Sequence, residues 1–161
     1  MNTAKLLTLL NSQAGLGALF LRVPVGIILL AHGAQKLFGA FGGYGLEATG
    51  QWMGSIGLEP GYLMALLAGS AEFFGGLALI IGLLTRPAAL VSAFTLLVAI
   101  FAVHFENGLF MANNGYEFGL SLFAATLALT FLGGGSLALD SQLAKVLGGK
   151  QQAADLGSAN H

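Results

Sequence analysis

Four long apolar runs restrict the possible folds of this chain more than any other feature of its sequence. A hydrocarbon core about 30 Å thick is crossed by about 20 helical residues, each rising about 1.5 Å. The runs therefore predict four membrane-spanning helices that pack as a bundle. Their expected limits are residues 17–38, 62–84, 87–105 and 116–132.

The chain has too few charged residues to cover a water-soluble domain of its size. Its 161 residues include six Lys or Arg and seven Asp or Glu, so 8% are charged, against about 25% in soluble domains. The mean hydropathy is +0.82. This composition excludes a soluble enzyme, a disordered chain and a nucleic-acid-binding protein. We expect an all-α polytopic membrane protein that contacts the lipid bilayer.

The absence of cysteine limits the redox chemistry that the chain can carry out alone. Disulfides, thiolate metal sites, iron–sulfur clusters and covalently attached haem are excluded, because each requires cysteine. A redox function would therefore depend on an electron-donating partner protein.

The distribution of Lys and Arg predicts the orientation in the membrane, because cytoplasmic ends are enriched in them. Lys36 is the single basic residue near one side of the predicted bundle. The cation-rich side should be cytoplasmic, which places both termini inside. The cation-rich side carries the other five basic residues: Lys5, Arg22, Arg86, Lys145 and Lys150.

The spans and their connections form one predicted membrane domain over residues 1–147, followed by a flexible polar tail over 148–161. The outer loop, residues 39–61, is long, glycine-rich and aromatic, and it contains Trp52. Two interpretations fit it. The aromatic residues anchor it at the membrane surface, or the loop is a lid over the outer mouth of the bundle.

Ionisable residues inside predicted spans are costly and are usually paired or functional. Counted from the outer end, His32 lies about 9 Å deep, Glu72 about 15 Å, and Lys36 and His104 about 3–5 Å. Small residues surround Glu72, so its side chain should face a neighbouring helix. These residues predict a polar funnel in the outer half of the bundle. Glu72 lies at its base. His32 is its nearest expected partner, and Arg22 or Lys36 would have to reach to it.

Two interpretations of this cluster remain open: ion pairs that fix helix register, and a site for a small ligand. In the second, Glu72 and His32 are the candidate catalytic residues. The candidate ligand-binding residues are His32, Lys36, Glu72, His104 and Trp52. A metal site formed by His32, His104 and Glu72, or a haem between the two histidines, is a less favoured alternative.

Three stretches of the sequence resemble the DoxX family of small four-helix membrane proteins. They are RVPVGIILLAHGAQKLFGAFGGYG, AEFFGGLALIIGLLTRPAAL and FLGGGSLALDSQL. The resemblance implies a bacterial inner-membrane protein linked to quinone or redox chemistry. The family takes its name from a small subunit associated with a thiosulfate:quinone oxidoreductase or terminal quinol oxidase. It also implies that His32, Lys36 and Glu72, which lie in these stretches, form the candidate site.

Three functions follow as hypotheses. The favoured one is a redox-linked membrane subunit that binds a quinone and works with a partner redox protein. The alternatives are a membrane scaffold for a partner oxidoreductase and a transporter of a small solute or protons. The sequence contains no complete catalytic motif, so whether the chain is itself an enzyme stays open, as does the formation of homo-oligomers.

Overall fold

The computed structural model describes residues 3–12 and 14–158, and the side chains of residues 5–12 and 14–149. Within these residues the chain is all-α, as predicted, and no strand is present. Seven α-helices follow one another: α1 (Thr3–Leu10), α2 (Gly17–Phe38), α3 (Gly45–Ser55), α4 (Gly61–Ile81), α5 (Thr85–Ala99), α6 (Glu117–Leu132) and α7 (Leu139–Ser158).

Three of the four predicted spans are confirmed as helices long and apolar enough to cross a membrane. They are α2 with 22 residues, α4 with 21, and α5 together with its continuation to Asn107 with 23. That continuation is a π-helical turn over Ile100–His104 and a 3₁₀ turn over Phe105–Asn107. The fourth helix, α6, is apolar but shorter, with 16 residues, which corresponds to a length of about 24 Å.

The helices α2, α4, α5 and α6 pack around one apolar core. Each contacts the next in that order, and α6 returns to contact α2. Leu29, Leu79 and Leu129 are almost completely buried at the centre. Large apolar side chains cover the outer surface of the bundle and are exposed, among them Phe20, Phe74, Phe94 and Phe131. This arrangement suits a lipid environment.

Glycines bring α2 and α4 into direct backbone contact. A Cβ atom added at Gly33 would lie 2.3 Å from the backbone nitrogen of Phe73, and one added at Gly76 would lie 2.5 Å from that of Leu30. At such distances even a methyl group would force the two helix backbones to move apart. Small residues allow helices to approach closely in membranes, where packing replaces the hydrophobic effect as the main source of association.

The predicted outer loop contains a helix that the sequence did not reveal. Helix α3 lies inside residues 39–61 and packs against α4 and α2. A Cβ atom at Gly61 would lie 2.2 Å from the carbonyl oxygen of Gly50, so glycines again set the contact. Thr49 and Met53, one turn apart, are buried. Glycine's low helix propensity concealed this element in the sequence.

The segment expected as a polar tail is largely helical. Helix α7 continues to Ser158, through most of the segment 148–161. This segment contains several good helix formers, Lys, Gln, Ala and Leu, which favours continuation. Residues 159–161 lie outside the described residues.

Polar contacts fix the end of the bundle at which α2 begins. The Arg22 guanidinium is buried and donates hydrogen bonds to four carbonyl oxygens. Asp140 accepts hydrogen bonds from the backbone nitrogens of Leu84 at 2.7 Å and Thr85 at 2.8 Å, which caps the start of α5. The carbonyls bound by Arg22 belong to Leu79, Ile80, Gly134 and Leu137. These contacts tie α2 to the end of α4 and to the segment between α6 and α7, and they tie the start of α7 to the start of α5.

Replacing Gly33 with alanine tests the close contact of α2 and α4. We expect Gly33→Ala to lower the free energy of unfolding by about 2 kcal/mol, because overpacking typically costs about 1–3 kcal/mol. Gly17→Ala is the matched control on the same helix, since nothing lies within 4 Å of a Cβ there. Thermal unfolding in detergent would compare them. Equal stability of the two variants would contradict the close contact.

Candidate functional site

Lys36 and Glu72 form an ion pair between the last turn of α2 and the middle of α4. The Lys36 Nζ atom lies 2.6 Å from the Glu72 Oε2 atom. The two side chains are 23% and 7% exposed. No other ion pair joins the side chains that the structure describes. A carboxylate buried in a membrane helix is stabilised by such a partner, because its desolvation is otherwise uncompensated.

The glycines of the α2–α4 contact bring these two residues together. Gly69 and Gly76 lie about one turn on either side of Glu72 and face α2. A Cβ atom at Gly69 would lie 3.3 Å from the Cβ atom of Lys36. The lysine side chain can therefore cross to α4 with its ammonium group at the carboxylate.

A cavity of about 480 Å³ lies beside Lys36. It is enclosed by the end of α2, the turn that follows it, and α3. Its volume is within the range of about 300–1,000 Å³ that is usual for small-molecule sites. Glu72 does not line it but accepts a hydrogen bond from the ammonium group of Lys36. The lining residues are Gln35, Lys36, Gly42, Gly43, Tyr44, Ala48, Thr49 and Trp52.

A sharp reversal of the chain after α2 forms one wall of this cavity. Gly39 ends α2 with φ +69°, a left-handed conformation that favours glycine. The chain then folds back, and a Cβ atom at Gly43 would lie 2.5 Å from the carbonyl oxygen of Gln35. The Gln35 amide also donates a hydrogen bond of 3.3 Å to the carbonyl oxygen of Phe41. Tyr44 is thereby placed at the cavity.

The predicted pairing of His32 with Glu72 is wrong. His32 is exposed, and its Nδ1 atom lies 3.0 Å from the carbonyl oxygen of Ile28 in its own helix. Its ring lies 6.1 Å from that of Phe118 on α6. Helical geometry places His32 about 40° around α2 from Lys36, on the side of α6. The longer lysine side chain reaches the carboxylate instead.

His104 also lies apart from the ion pair and does not line the cavity. Its Nδ1 atom is 2.9 Å from the carbonyl oxygen of Asn114, to which the Asn107 amide also donates a hydrogen bond. The rings of Phe105 and Tyr116 stack nearby at 5.6 Å. These contacts stabilise the connection between α5 and α6, so His104 has a structural role in that connection.

The candidate site therefore combines only part of the predicted set. Lys36, Glu72 and Trp52 come together, whereas His32 and His104 do not join them. Among the described residues, no three His, Asp or Glu side chains are arranged to hold a metal ion, so the alternative set of His32, His104 and Glu72 is not assembled. Sequence reasoning missed Gln35, Tyr44 and Thr49, although the aromatic residues of the glycine-rich segment were a signal.

These features define a small helical membrane protein with an ion pair beside a cavity at one end of its bundle. The family model DoxX matches residues 17–105. The chain belongs to the DoxX family.

Three relatives align with most of this chain. "Putative oxidoreductase CatD" of Bacillus subtilis (strain 168) is 39% identical over 131 residues, covering 81% of this chain and 90% of the relative. "Inner membrane protein YqjF" of Escherichia coli (strain K12) is 35% identical, covering 80% and 93%. An "Uncharacterized protein" of Haemophilus influenzae (strain ATCC 51907 / DSM 11121 / KW20 / Rd) is 34% identical, covering 78% and 90%. No solved structure shows a significant match.

Removing either member of the ion pair should destabilise the bundle, and removing both should be less harmful. We expect Glu72→Gln to cost about 2 kcal/mol. This is below the roughly 3–5 kcal/mol of a fully buried pair, because Lys36 is partly exposed. Glu72→Gln combined with Lys36→Met should recover part of this loss. Thermal unfolding of the unmodified protein, Glu72→Gln, Lys36→Met and the double variant forms a double-mutant cycle. Strictly additive losses of stability would argue against coupling between the two residues.

Proposed function

We propose that the chain is a multi-pass protein of the bacterial inner membrane with four spans and both termini in the cytoplasm. The length of α2, α4 and α5 supports this topology, and so does the packing of the shorter α6 against them. YqjF, a relative, is named as an inner membrane protein. Basic residues gather at one end of the bundle, and that end faces the cytoplasm in this proposal.

The absence of native cysteine allows this topology to be tested with single introduced cysteines. Ser55→Cys lies at the end of α3, and Gln142→Cys lies on α7; both positions are exposed. In intact spheroplasts, a membrane-impermeant maleimide should label the first and not the second. Lysis should make both reactive. Labelling of Gln142→Cys in intact spheroplasts would reverse the proposed orientation.

We further propose that the protein is a redox-linked membrane subunit that binds the headgroup of a quinone in the cavity beside Lys36. The position of Lys36, which lines the cavity and is paired with Glu72, carries this proposal. Lys36 offers N–H donors toward a carbonyl oxygen, and the rings of Tyr44 and Trp52 suit contact with a flat ring. A cavity that is mostly apolar with a few polar groups is the usual form of such a site.

Glu72 has a positioning role in this proposal. Its carboxylate accepts a hydrogen bond from the Lys36 ammonium group and fixes the direction of that group. Quinone reduction takes up two electrons and two protons, and Lys36, which lines the cavity, is placed to pass a proton to a carbonyl oxygen of the ring. The electrons come from a partner redox protein. The name of the relative CatD, a putative oxidoreductase, agrees with a redox context.

The transporter hypothesis is less well supported. A solute path would need polar groups through the other half of the bundle, where Arg22 is the buried cation. The guanidinium group of Arg22 donates hydrogen bonds to four backbone carbonyls, so this residue has a structural role. The scaffold hypothesis is the outcome favoured if the cavity binds no ligand.

Trp52 is the one tryptophan of the chain and lines the cavity, so its fluorescence reports directly on occupancy. Titration of the protein in nanodiscs with a short-chain ubiquinone should give saturable quenching. Lys36→Met should weaken binding by about tenfold or more, because a hydrogen bond to a charged group contributes about 1.5–3 kcal/mol. The measured quantity is the apparent dissociation constant.

Lys5→Met is the matched control, because it removes the same charge from an exposed position on α1. It should bind the quinone like the unmodified protein. Quenching that rises linearly without saturation, or that is equal in both variants, would show partition of the quinone into lipid and would contradict the proposed site.

A further inference from the structure

Two cavities adjoin one another at the end of the bundle opposite the Lys36–Glu72 pair. Their volumes are about 520 Å³ and 410 Å³, and both are lined by Asn11 and Ser12. Besides these two, the larger has Thr8, Ala14, Arg86, Phe131 and Leu132 in its wall. The smaller has Leu7, Ser136, Ser141, Ala144, Lys145 and Gly148.

Each cavity has one cation in its wall, and neither cation has a carboxylate partner among the described side chains. Arg86 is partly buried and donates to the carbonyl oxygens of Thr130, Phe131 and Asn11. These neutral acceptors take three of its five N–H donors and leave its charge uncompensated. Lys145 is exposed on α7. The pair of cavities therefore attracts an anion.

The acidic residue of this region that the structure describes, Asp140, is already engaged. Its two carboxylate oxygens accept hydrogen bonds from the backbone nitrogens of Leu84 and Thr85. It is also almost completely buried and lines neither cavity. Among the side chains that the structure describes, none compensates the charge of Arg86 or Lys145, which favours an external anion beside them.

The apolar part of the larger cavity identifies the kind of anion. Phe131 and Leu132 end α6, and they are 73% and 44% exposed. The ends of spans lie at the depth of lipid headgroups. A phosphate placed at Arg86 thus has an apolar surface directly beside it, which fits the attached acyl chains of a lipid. Basic pockets between membrane helices are known to bind anionic headgroups in this way.

We propose that these cavities bind the phosphate-bearing headgroup of an anionic phospholipid. Arg86 and Lys145 attract the phosphate, Asn11 lines both cavities, and Phe131 contacts an acyl chain. This site is independent of the proposed quinone site, because the two share no residue and lie at opposite ends of the bundle.

Native mass spectrometry of the full chain, mixed with equal amounts of phosphatidylglycerol and phosphatidylcholine, tests this proposal. The unmodified protein should retain phosphatidylglycerol preferentially. Lys145→Gln should weaken that retention about fivefold, as expected for one basic residue near a headgroup. Asn11→Asp places a negative charge in the wall of both cavities and should weaken it further.

Lys5→Gln is the matched control: an exposed lysine on α1 that lines neither cavity. It should retain the lipid normally, and unchanged thermal midpoints in phosphatidylcholine should show that all variants are folded. Equal losses for Lys5→Gln and Lys145→Gln would overturn the site in favour of general surface charge. Equal retention of both lipids would overturn it as well. Displacement of the lipid by inorganic phosphate would assign the cavities to a free anion.

Discussion

The close contact of α2 with α4 is the constraint on which the site depends. In lipid, helix association relies on packing and polar contacts, and glycines such as Gly33 and Gly76 allow the two backbones to touch. This contact brings the ammonium group of Lys36 to the carboxylate of Glu72. The favourable pairing offsets the cost of burying a carboxylate at membrane depth. A wider separation of the helices would leave Glu72 without a partner.

The charged residues have different roles at the two ends of the bundle. At one end, Arg22 binds carbonyl oxygens at the end of α4 and in the segment between α6 and α7, and Asp140 caps the start of α5. These contacts satisfy backbone groups that helix ends leave unpaired. At the other end, the pair of Lys36 and Glu72 stands beside a cavity. The first arrangement holds helices in place, and the second leaves a charged group accessible.

The long apolar helices and the direction of Glu72 could be predicted from the sequence because they depend on local properties. Long apolar runs define spans, and small residues around Glu72 indicate a helix contact. The partner of Glu72 could not be predicted, because His32 and Lys36 lie within about 40° on one helix face. Side-chain reach and the position of α6 decide between them. Helix α3 was missed since glycines at its packing positions hide its periodicity.

The central claim is that the ion pair serves a ligand site and does more than fix helix register. Native mass spectrometry of the protein, released from its own membrane in a mild detergent, tests this claim most directly. The account predicts an additional mass that matches a quinone, present in the unmodified protein and lost in Lys36→Met. A protein mass without any bound quinone in both forms would contradict the account and leave Lys36 and Glu72 a purely structural role.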